Sequence, residues 1–261
     1  RGKYAYVNAG EPTGLNPLQV ETDEEGVSWL ADWLSRIIAP NGGLSPVQAK
    51  RLFEVCETNA RAPAELQVWS EFQQQFNLTD DEGDLHRLIE EWGPRGRFGW
   101  VFGQSEADTF SLEGNVVGFD LTQILDAESD RERMAVLSYI FRRLERKLRD
   151  GQRTIVIIDE AWKAVDNPYF AERIKGWLVT LRKQNAVVVM LTQNPAQLTN
   201  SKVGSEIYSS FSNQVLLPNP TADPEDFGPL QLNEKELSFV LGSNFGRSFL
   251  WRNEESSTVL R

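Results

Sequence analysis

The sequence predicts an α/β fold with a mostly parallel sheet, together with a separate all-α segment, and three observations support this. Continuous runs of Val and Ile, such as those at 154–158 and 186–191, lead into polar residues. Stretches with apolar residues at every third or fourth position separate these runs, as in alternating strands and helices. Residues 24–92 keep the helical spacing and contain no strand pattern. Unbroken aliphatic strands between helices are typical of parallel sheets covered on both faces.

The composition of the 261 residues excludes several classes of function. One Cys (Cys56) and one His (His86) leave too few groups for a Cys/His zinc site or for Ser-His-Asp and Cys-His catalysis. The formal net charge of -11 argues against general nucleic-acid binding, because that binding depends on neutralising phosphates. No apolar run approaches the roughly 20 residues of a membrane-spanning helix. Carboxylate-based metal sites remain open.

The all-α segment is predicted to contain about four helices, which would form a compact subdomain. Ser45–Gln48 has the pattern of a capping box with a Pro at the first helical position, and Thr79–Glu82 resembles a second box. Its tryptophans fall on stripes of core spacing, so we interpret them as packing residues. The first apolar stripe consists of Trp29, Leu30, Trp33, Leu34 and Ile37.

Strand and helix patterns alternate in the rest of the chain. We therefore expect residues 1–22 and 105–261 to form the α/β core and residues 23–104 to form an all-α insertion. The predicted strands are 4–8, 115–120, 154–158, 186–191, 213–217 and 247–251.

The sharpest motif lies where the aliphatic strand 154–158 runs into Asp159 and Glu160. Ligands of open parallel sheets gather at the carboxyl ends of the strands, so both carboxylates should stand at the edge of a crevice. Such a strand end is typical of a Walker B site, in which the first carboxylate holds Mg²⁺ through water. The second carboxylate orients or deprotonates the attacking water. The alternative is a strand that ends in a solvated acidic turn.

The next predicted strand, 186–191, ends in Thr192-Gln193-Asn194-Pro195. If the two strands are neighbours, Gln193 lies beside the carboxylates and its amide could sense a γ-phosphate. A simple Asn-Pro turn is the alternative, and both interpretations are compatible.

Two arginines are candidates for contacts with phosphate. Arg182 ends the helix before strand 186–191, where a basic residue also suits the helix dipole. In ring-shaped NTPases an arginine of one subunit commonly completes the neighbouring site, so Arg182 is a candidate finger. Arg247 starts the last predicted strand and is a second candidate, with an exposed strand start as the alternative.

A basic cluster on the helix before strand 154–158 is interpreted as a solvated face, with a polynucleotide or acidic partner as the alternative. It consists of Arg142, Arg143, Arg146, Lys147 and Arg149.

A phosphate-binding loop of the form Gly-x-x-x-x-Gly-Lys-[Ser/Thr] does not occur in the sequence. Gly2-Lys3 is followed by Tyr4 and has no preceding loop. We therefore expect that loop to lie upstream of residue 1, and this fragment to be catalytically incomplete, with doubtful ATP binding of its own.

Taken in order, these motifs resemble the CagE/TrbE/VirB family, the ATPases of type IV secretion and conjugation machines. The resemblance extends over nearly the whole chain and is weakest in the helical segment, which would correspond to the all-α insertion of that family. The motifs that carry it are Asp159-Glu160-Ala161-Trp162-Lys163, Arg182-Lys183-Gln184-Asn185, Thr192-Gln193-Asn194-Pro195, Gly14-Leu15-Asn16-Pro17-Leu18 and Gly246-Arg247-Ser248-Phe249-Leu250-Trp251.

The resemblance implies a RecA-like P-loop NTPase core that uses ATP and Mg²⁺. Asp159 and Glu160 would be the Walker B pair, Gln193 the γ-phosphate sensor and Arg182 the inter-subunit finger. It also implies hexamers in some assemblies, other type IV secretion components as partners, and a place at the cytoplasmic face of the inner membrane. There the parent protein would power pilus assembly or substrate transfer.

Two alternatives stay open. The first is a DNA translocase of the HerA/FtsK type or a coupling protein, which would favour a basic pore surface. The second is a non-hydrolytic docking module with a vestigial acidic pair.

Overall fold

The computed structural model describes residues 2–104, 106–126, 130–165, 168–196, 202–243 and 247–261. The chain divides into two compact units, Arg1–Lys147 and Leu148–Arg261. The predicted division into a core (1–22 and 105–261) and an insertion (23–104) stays a prediction.

The first unit combines one pair of strands with a set of helices. Strands β1 (Lys3–Tyr6) and β2 (Val117–Asp120) are parallel neighbours. Between Glu24 and Glu90, where every residue is described, the structure has four α-helices and no strand, as predicted. The helices are α1 (Pro17–Val20), α2 (Glu24–Ile38), α3 (Pro46–Arg61), α4 (Trp69–Gln74), α5 (Asp84–Glu90), α6 (Thr122–Leu125) and α7 (Asp130–Leu148).

Only one of the two predicted capping boxes forms. At the start of α3 the Ser45 side chain accepts from the Gln48 N–H, and the Gln48 side chain accepts from the Ser45 N–H. The predicted box at Thr79–Glu82 is wrong, because Asp81 and Glu82 adopt positive φ and α5 starts only at Asp84. The Asp81 carboxylate instead accepts from the Leu85 N–H at 3.1 Å. A short 3₁₀ segment, Asp80–Gly83, with left-handed residues at Asp81 and Glu82 takes the place of the expected first turn of an α-helix.

An aromatic cluster forms the centre of the first unit. Trp33, Trp69 and Trp92 are at most 3% exposed, which confirms their interpretation as packing residues. All three have ring centroids within 6.4 Å of the ring of Phe102. Aromatic side chains bury large apolar areas, so this cluster dominates the packing of the helices.

The basic cluster on α7 was interpreted as a solvated face, and this interpretation is wrong for Arg142. The Arg142 side chain is 4% exposed and bonds Glu21, which is fully buried, at 3.1 Å. Its other amino group bonds Glu25 at 2.8 Å. Arg146 bonds Glu21 at 2.9 Å, and Arg143 bonds Asp108 at 2.8 Å. These arginines therefore connect α7 to other segments of the unit.

Asp23 links the same network to a helix start. Its carboxylate caps α2 by accepting from the Gly26 N–H at 2.7 Å, and it also pairs with Arg146. The hydrogen bond from Arg146 holds the pKa of Asp23 below its usual value. The charge is therefore stabilised at the positive end of α2.

The second unit contains a parallel pair and an antiparallel sheet. Strands β3 (Thr154–Ile158) and β4 (Ala186–Met190) are parallel. Strands β5 (Asn213–Leu216), β6 (Phe249–Asn253) and β7 (Ser257–Leu260) form an antiparallel sheet in that order. The helices are α8 (Ala161–Val165), α9 (Pro168–Thr180), α10 (Lys202–Ser209) and α11 (Glu234–Val240), with 3₁₀ turns at Leu181–Gln184 and Pro224–Leu230.

The predicted strands are all present; 154–158 has the predicted ends, the other five have shifted ends, and the sequence missed β7. The strand predicted at 247–251 begins at Phe249. The expectation of a mostly parallel sheet holds for two strand pairs and is wrong for β5–β7. Short strands joined by a turn, such as β6 and β7, pair antiparallel because no crossover helix separates them.

Within the described ranges, the structure has no helix with the length and apolar content needed to span a membrane.

We expect Arg142→Ala to lower the free energy of unfolding by about 3–5 kcal/mol, because it leaves the buried Glu21 carboxylate with Arg146 as its one remaining cationic partner among the described residues. The matched control is Arg87→Ala, which removes an ion pair to Asp84 whose two side chains are 66% and 64% exposed. It should cost less than about 1 kcal/mol. Urea denaturation followed by circular dichroism measures both, and equal losses would contradict the buried role of Arg142.

Candidate active site at the ends of two parallel strands

The site is built on the ladder between β3 and β4. Residues pair in register from Thr154 with Ala186 to Ile158 with Met190. The Leu191 N–H donates to the Ile158 carbonyl at 2.9 Å, beyond the last pair. The next residues after each strand therefore leave the sheet at the same edge.

The turn that precedes β4 fixes this register. Asn185 has φ +57°, and its side-chain amide donates to the Gly151 carbonyl at 3.0 Å. The Thr154 N–H donates to the Asn185 carbonyl at 3.2 Å, which starts the ladder. Asn tolerates the left-handed region better than most residues, which suits it to this position.

The expectation that β3 is covered on both faces is wrong for this chain. Val156 is 8% exposed, but Ile155 and Ile157 on the opposite face are 68% and 64% exposed. Val187, which pairs with Ile155, is 59% exposed. Side chains of a strand alternate between faces, so one side of the pair is apolar and open.

Asp159 follows β3 and is exposed. Its Oδ1 accepts from the Glu160 N–H at 2.9 Å. A solvent-facing carboxylate at a strand end suits Mg²⁺, which binds through one or two carboxylates and otherwise keeps water or phosphate oxygens. In the described part of the chain no group of three or more His, Cys, Asp or Glu side chains could hold a metal.

Glu160 is held by two donors, one on each carboxylate oxygen. The Gln193 amide donates to Oε1 at 2.6 Å, and the Trp162 indole N–H donates to Oε2 at 2.6 Å. Gln193 comes from the loop after β4, and Trp162 from α8. The structure thus brings Glu160 and Gln193 together, at the edge where both strands end.

The backbone of Glu160 is in a left-handed conformation, with φ +48°. L-residues other than Asn and Asp rarely adopt it, at a cost of about 1–2 kcal/mol. Hydrogen bonds on both sides hold the turn, from the Ala161 N–H to the Leu191 carbonyl at 3.0 Å and from the Lys163 N–H to the Glu160 carbonyl at 2.9 Å.

The loop after β4 is fixed by its own side chains. The Thr192 hydroxyl donates to the Asn194 carbonyl at 3.1 Å, and Asn194 Oδ1 accepts from the Ala196 N–H at 2.8 Å. The Asn194 amide donates to Asp226 at 2.8 Å. The predicted Asn-Pro turn therefore coexists with the contact between Gln193 and Glu160.

The two predicted arginines lie on different elements. Arg182 belongs to the 3₁₀ turn Leu181–Gln184 before β4, and the position of its side chain lies outside the described structure. Arg247 is an exposed turn residue ahead of β6, and Gly246 of the same motif lies outside the described residues. A role for either arginine at this site stays a prediction.

Sequence reasoning missed Trp162 as a part of the site. The signal that could have found it is its spacing: an indole donor two residues after a carboxylate, in the first turn of a helix. A hydrogen bond back onto the strand end is within its reach.

Comparisons with known proteins identify relatives over the whole chain. The model of the TraG P-loop domain family matches residues 85–221. A type IV secretion system protein virB4 of Bartonella henselae is 30% identical over 99% of this chain and 33% of its own length. The type IV secretion system protein PtlC of Bordetella pertussis is 32% identical over 87% of this chain and 28% of its own. The chain thus spans about a third of the length of these curated relatives.

A solved structure shares the fold. VirB4 of Thermoanaerobacter pseudethanolicus superposes with a TM-score of 0.65 at 18% identity, covering 100% of this chain and 81% of that one. At this identity the likeness concerns the fold alone.

We expect Asn185→Val to destabilise the protein by about 1–2 kcal/mol more than Asn185→Gly, because a β-branched residue resists positive φ. Both variants lose the bond to the Gly151 carbonyl, so their difference isolates the backbone conformation. Urea denaturation measures the two free energies of unfolding. Equal losses would show that the left-handed turn does not control the register.

Proposed function

This chain belongs to the TraG P-loop domain family, and we propose that it is part of an ATP-hydrolysing motor of a type IV secretion system. The predicted kinship with the CagE/TrbE/VirB family is confirmed by the family match and by the VirB4 and PtlC relatives. The activity, substrates and partners of the whole protein are part of the proposal, since this chain spans a third of its relatives.

One observation carries the proposal: Gln193 bonds the Glu160 carboxylate at 2.6 Å, beside Asp159. If the acidic pair were only a solvated turn at the end of β3, neither carboxylate would need a hydrogen-bond donor from the neighbouring strand. A hydrolytic site does need one, because the carboxylate and the amide must face the same water and phosphate.

Each residue has a distinct role in the proposed reaction. Asp159 would hold Mg²⁺ through water, and the ion would neutralise the charge of the phosphates when bound. Glu160 orients the attacking water and accepts its proton. Gln193 donates its amide to the water or to the γ-phosphate, and so senses whether that phosphate is present.

The arrangement in the cell is part of the proposal and rests on the resemblance to the CagE/TrbE/VirB family. The protein would act at the cytoplasmic face of the inner membrane, with other type IV secretion components as partners. It would self-associate, in hexamers in some assemblies, with Arg182 of one subunit reaching the neighbouring site. Arg247 would be a second contact with phosphate. The work done would be pilus assembly or substrate transfer.

The DNA-translocase alternative is less well supported. It needs a basic surface, and the arginines that the sequence offered for one are paired with carboxylates. A non-hydrolytic docking module gives no reason for the contacts on both oxygens of Glu160.

We expect Glu160→Gln to lower the Mg²⁺-dependent ATPase rate of the full-length protein by about 10²–10⁴-fold while ATP still binds. The amide keeps the shape of the side chain but cannot accept the proton. The measurement is steady-state phosphate release, with nucleotide binding followed by fluorescent ATP. The control is Glu255→Gln, which neutralises an exposed carboxylate in the turn between β6 and β7.

Hydrolysis at the normal rate in Glu160→Gln would remove Glu160 from this role. A full-length protein that neither binds nor hydrolyses ATP would favour the docking module, and turnover stimulated by DNA would favour the translocase.

We expect Arg182→Ala and Glu160→Gln to be inactive separately and to restore part of the activity when mixed. A finger that acts between subunits leaves a complete site wherever an intact Arg182 meets an intact Glu160. The assay is phosphate release after the two purified proteins are co-assembled, with size-exclusion chromatography to verify that they exchange subunits. Co-assembly without any recovery would assign Arg182 to its own subunit's site or to none.

A further inference from the structure

We propose that Trp162 is a positioning residue, whose indole N–H fixes the carboxylate of Glu160 for the attacking water. The inference rests on the proposed function, because it assigns a task in the same reaction. It adds a residue that acts through the Glu160 carboxylate.

The two hydrogen bonds on the Glu160 carboxylate leave it able to accept another hydrogen bond from water. Trp162 takes one acceptor position on Oε2, and Gln193 takes one on Oε1. An ionised carboxylate offers about four acceptor positions, so each oxygen keeps a second one. The two donors therefore set the plane of the carboxylate and still allow it to accept from water.

Of the two donors, Trp162 is the one that can hold Glu160 throughout the reaction. Gln193 comes from a different strand and, as a phosphate sensor, must turn its amide towards the nucleotide. Trp162 lies two residues from Glu160 in the same turn, so its indole can keep its bond while Gln193 changes partner. The carboxylate would lose its direction at that moment without the indole.

The surroundings keep Trp162 at this place. Ala161 is fully buried, and its N–H bonds the Leu191 carbonyl, which anchors the start of α8 to the end of β4. The Lys163 ammonium lies 5.7 Å from the centroid of the Trp162 ring. The left-handed backbone of Glu160 turns the chain so that the indole faces back to the carboxylate. Such strained residues persist where the surrounding structure over-determines them.

Packing does not account for this tryptophan. Trp69 and Trp92 are 1% and 0% exposed, as expected of core residues, whereas Trp162 is only partly buried. Its N–H donates to the Glu160 carboxylate at 2.6 Å, and hydrogen bonds to an ionised acceptor are stronger than those between neutral groups. A second indole–carboxylate pair, Trp100 with Glu132 at 3.0 Å, belongs to the first unit and offers a matched comparison.

The test replaces Trp162 of the full-length protein with 3-benzothienylalanine, which has sulfur in place of the N–H and nearly the same shape. We expect kcat for ATP to fall about 10- to 100-fold, because the bond to a charged group is lost. The KM for ATP should stay within about twofold, since only an interaction that positions the base is removed. Trp162→Phe should behave alike, and tryptophan inserted by the same suppression method should restore kcat.

Two further measurements separate positioning from a structural role. In the Glu160→Gln background the same replacement should change kcat by less than about twofold, as coupled residues are not additive. The same replacement at Trp100 should leave kcat unchanged.

Wild-type kcat with 3-benzothienylalanine at position 162 would overturn the inference. The inference would also be overturned if the replacement at position 162 raised the KM for ATP and the replacement at Trp100 lowered kcat equally. That result would indicate general destabilisation of the protein. If the unaltered protein does not hydrolyse ATP, both the proposed function and the inference are wrong. If it hydrolyses ATP and kcat does not depend on the Trp162 indole, only the inference is wrong.

Discussion

Backbone hydrogen bonds continue past the last paired residues of β3 and β4, and the site depends on this continuation. The Leu191 N–H bonds the Ile158 carbonyl, and the Leu191 carbonyl accepts from the Ala161 N–H. One residue of β4's loop thus fixes both the end of β3 and the start of α8. Asp159 and Glu160, which lie between these two anchors, have little freedom in where they point. A shift of register by one residue would move Gln193 away and reverse the faces of the strand.

The unfavourable backbone conformation of Glu160 is balanced by the hydrogen bonds that its side chain accepts. Its left-handed backbone is unfavourable for an L-residue, yet it aims the side chain at donors on both sides. Hydrogen bonds to a charged group are among the stronger ones, at about 1.5–3 kcal/mol each. Two of them, from Trp162 and Gln193, exceed the cost of the conformation. The geometry that the proposed reaction needs is therefore also the geometry that the strand ends stabilise.

Charged side chains are used differently on α7 and at the ends of β3 and β4. In the first unit, arginines of α7 are turned inward and neutralised by Glu21, Glu25 and Asp108. At the strand ends Asp159 is exposed, where a cation can reach it.

The sequence alone determined the approximate positions of β1 to β6, the helical segment and the polar residues at the strand ends, because periodicity and capping are encoded within a few neighbouring residues. The box at Ser45 formed as predicted. The pairing of β3 with β4, which the sequence left as a condition for the site, was decided by the structure. Only the tertiary structure decided that Arg142 is buried, since its partner Glu21 is 121 positions away. It also decided that the capping box predicted at Thr79 does not form, and that the indole N–H of Trp162 donates to Glu160. Such outcomes depend on which segments meet in space, and no local pattern records that.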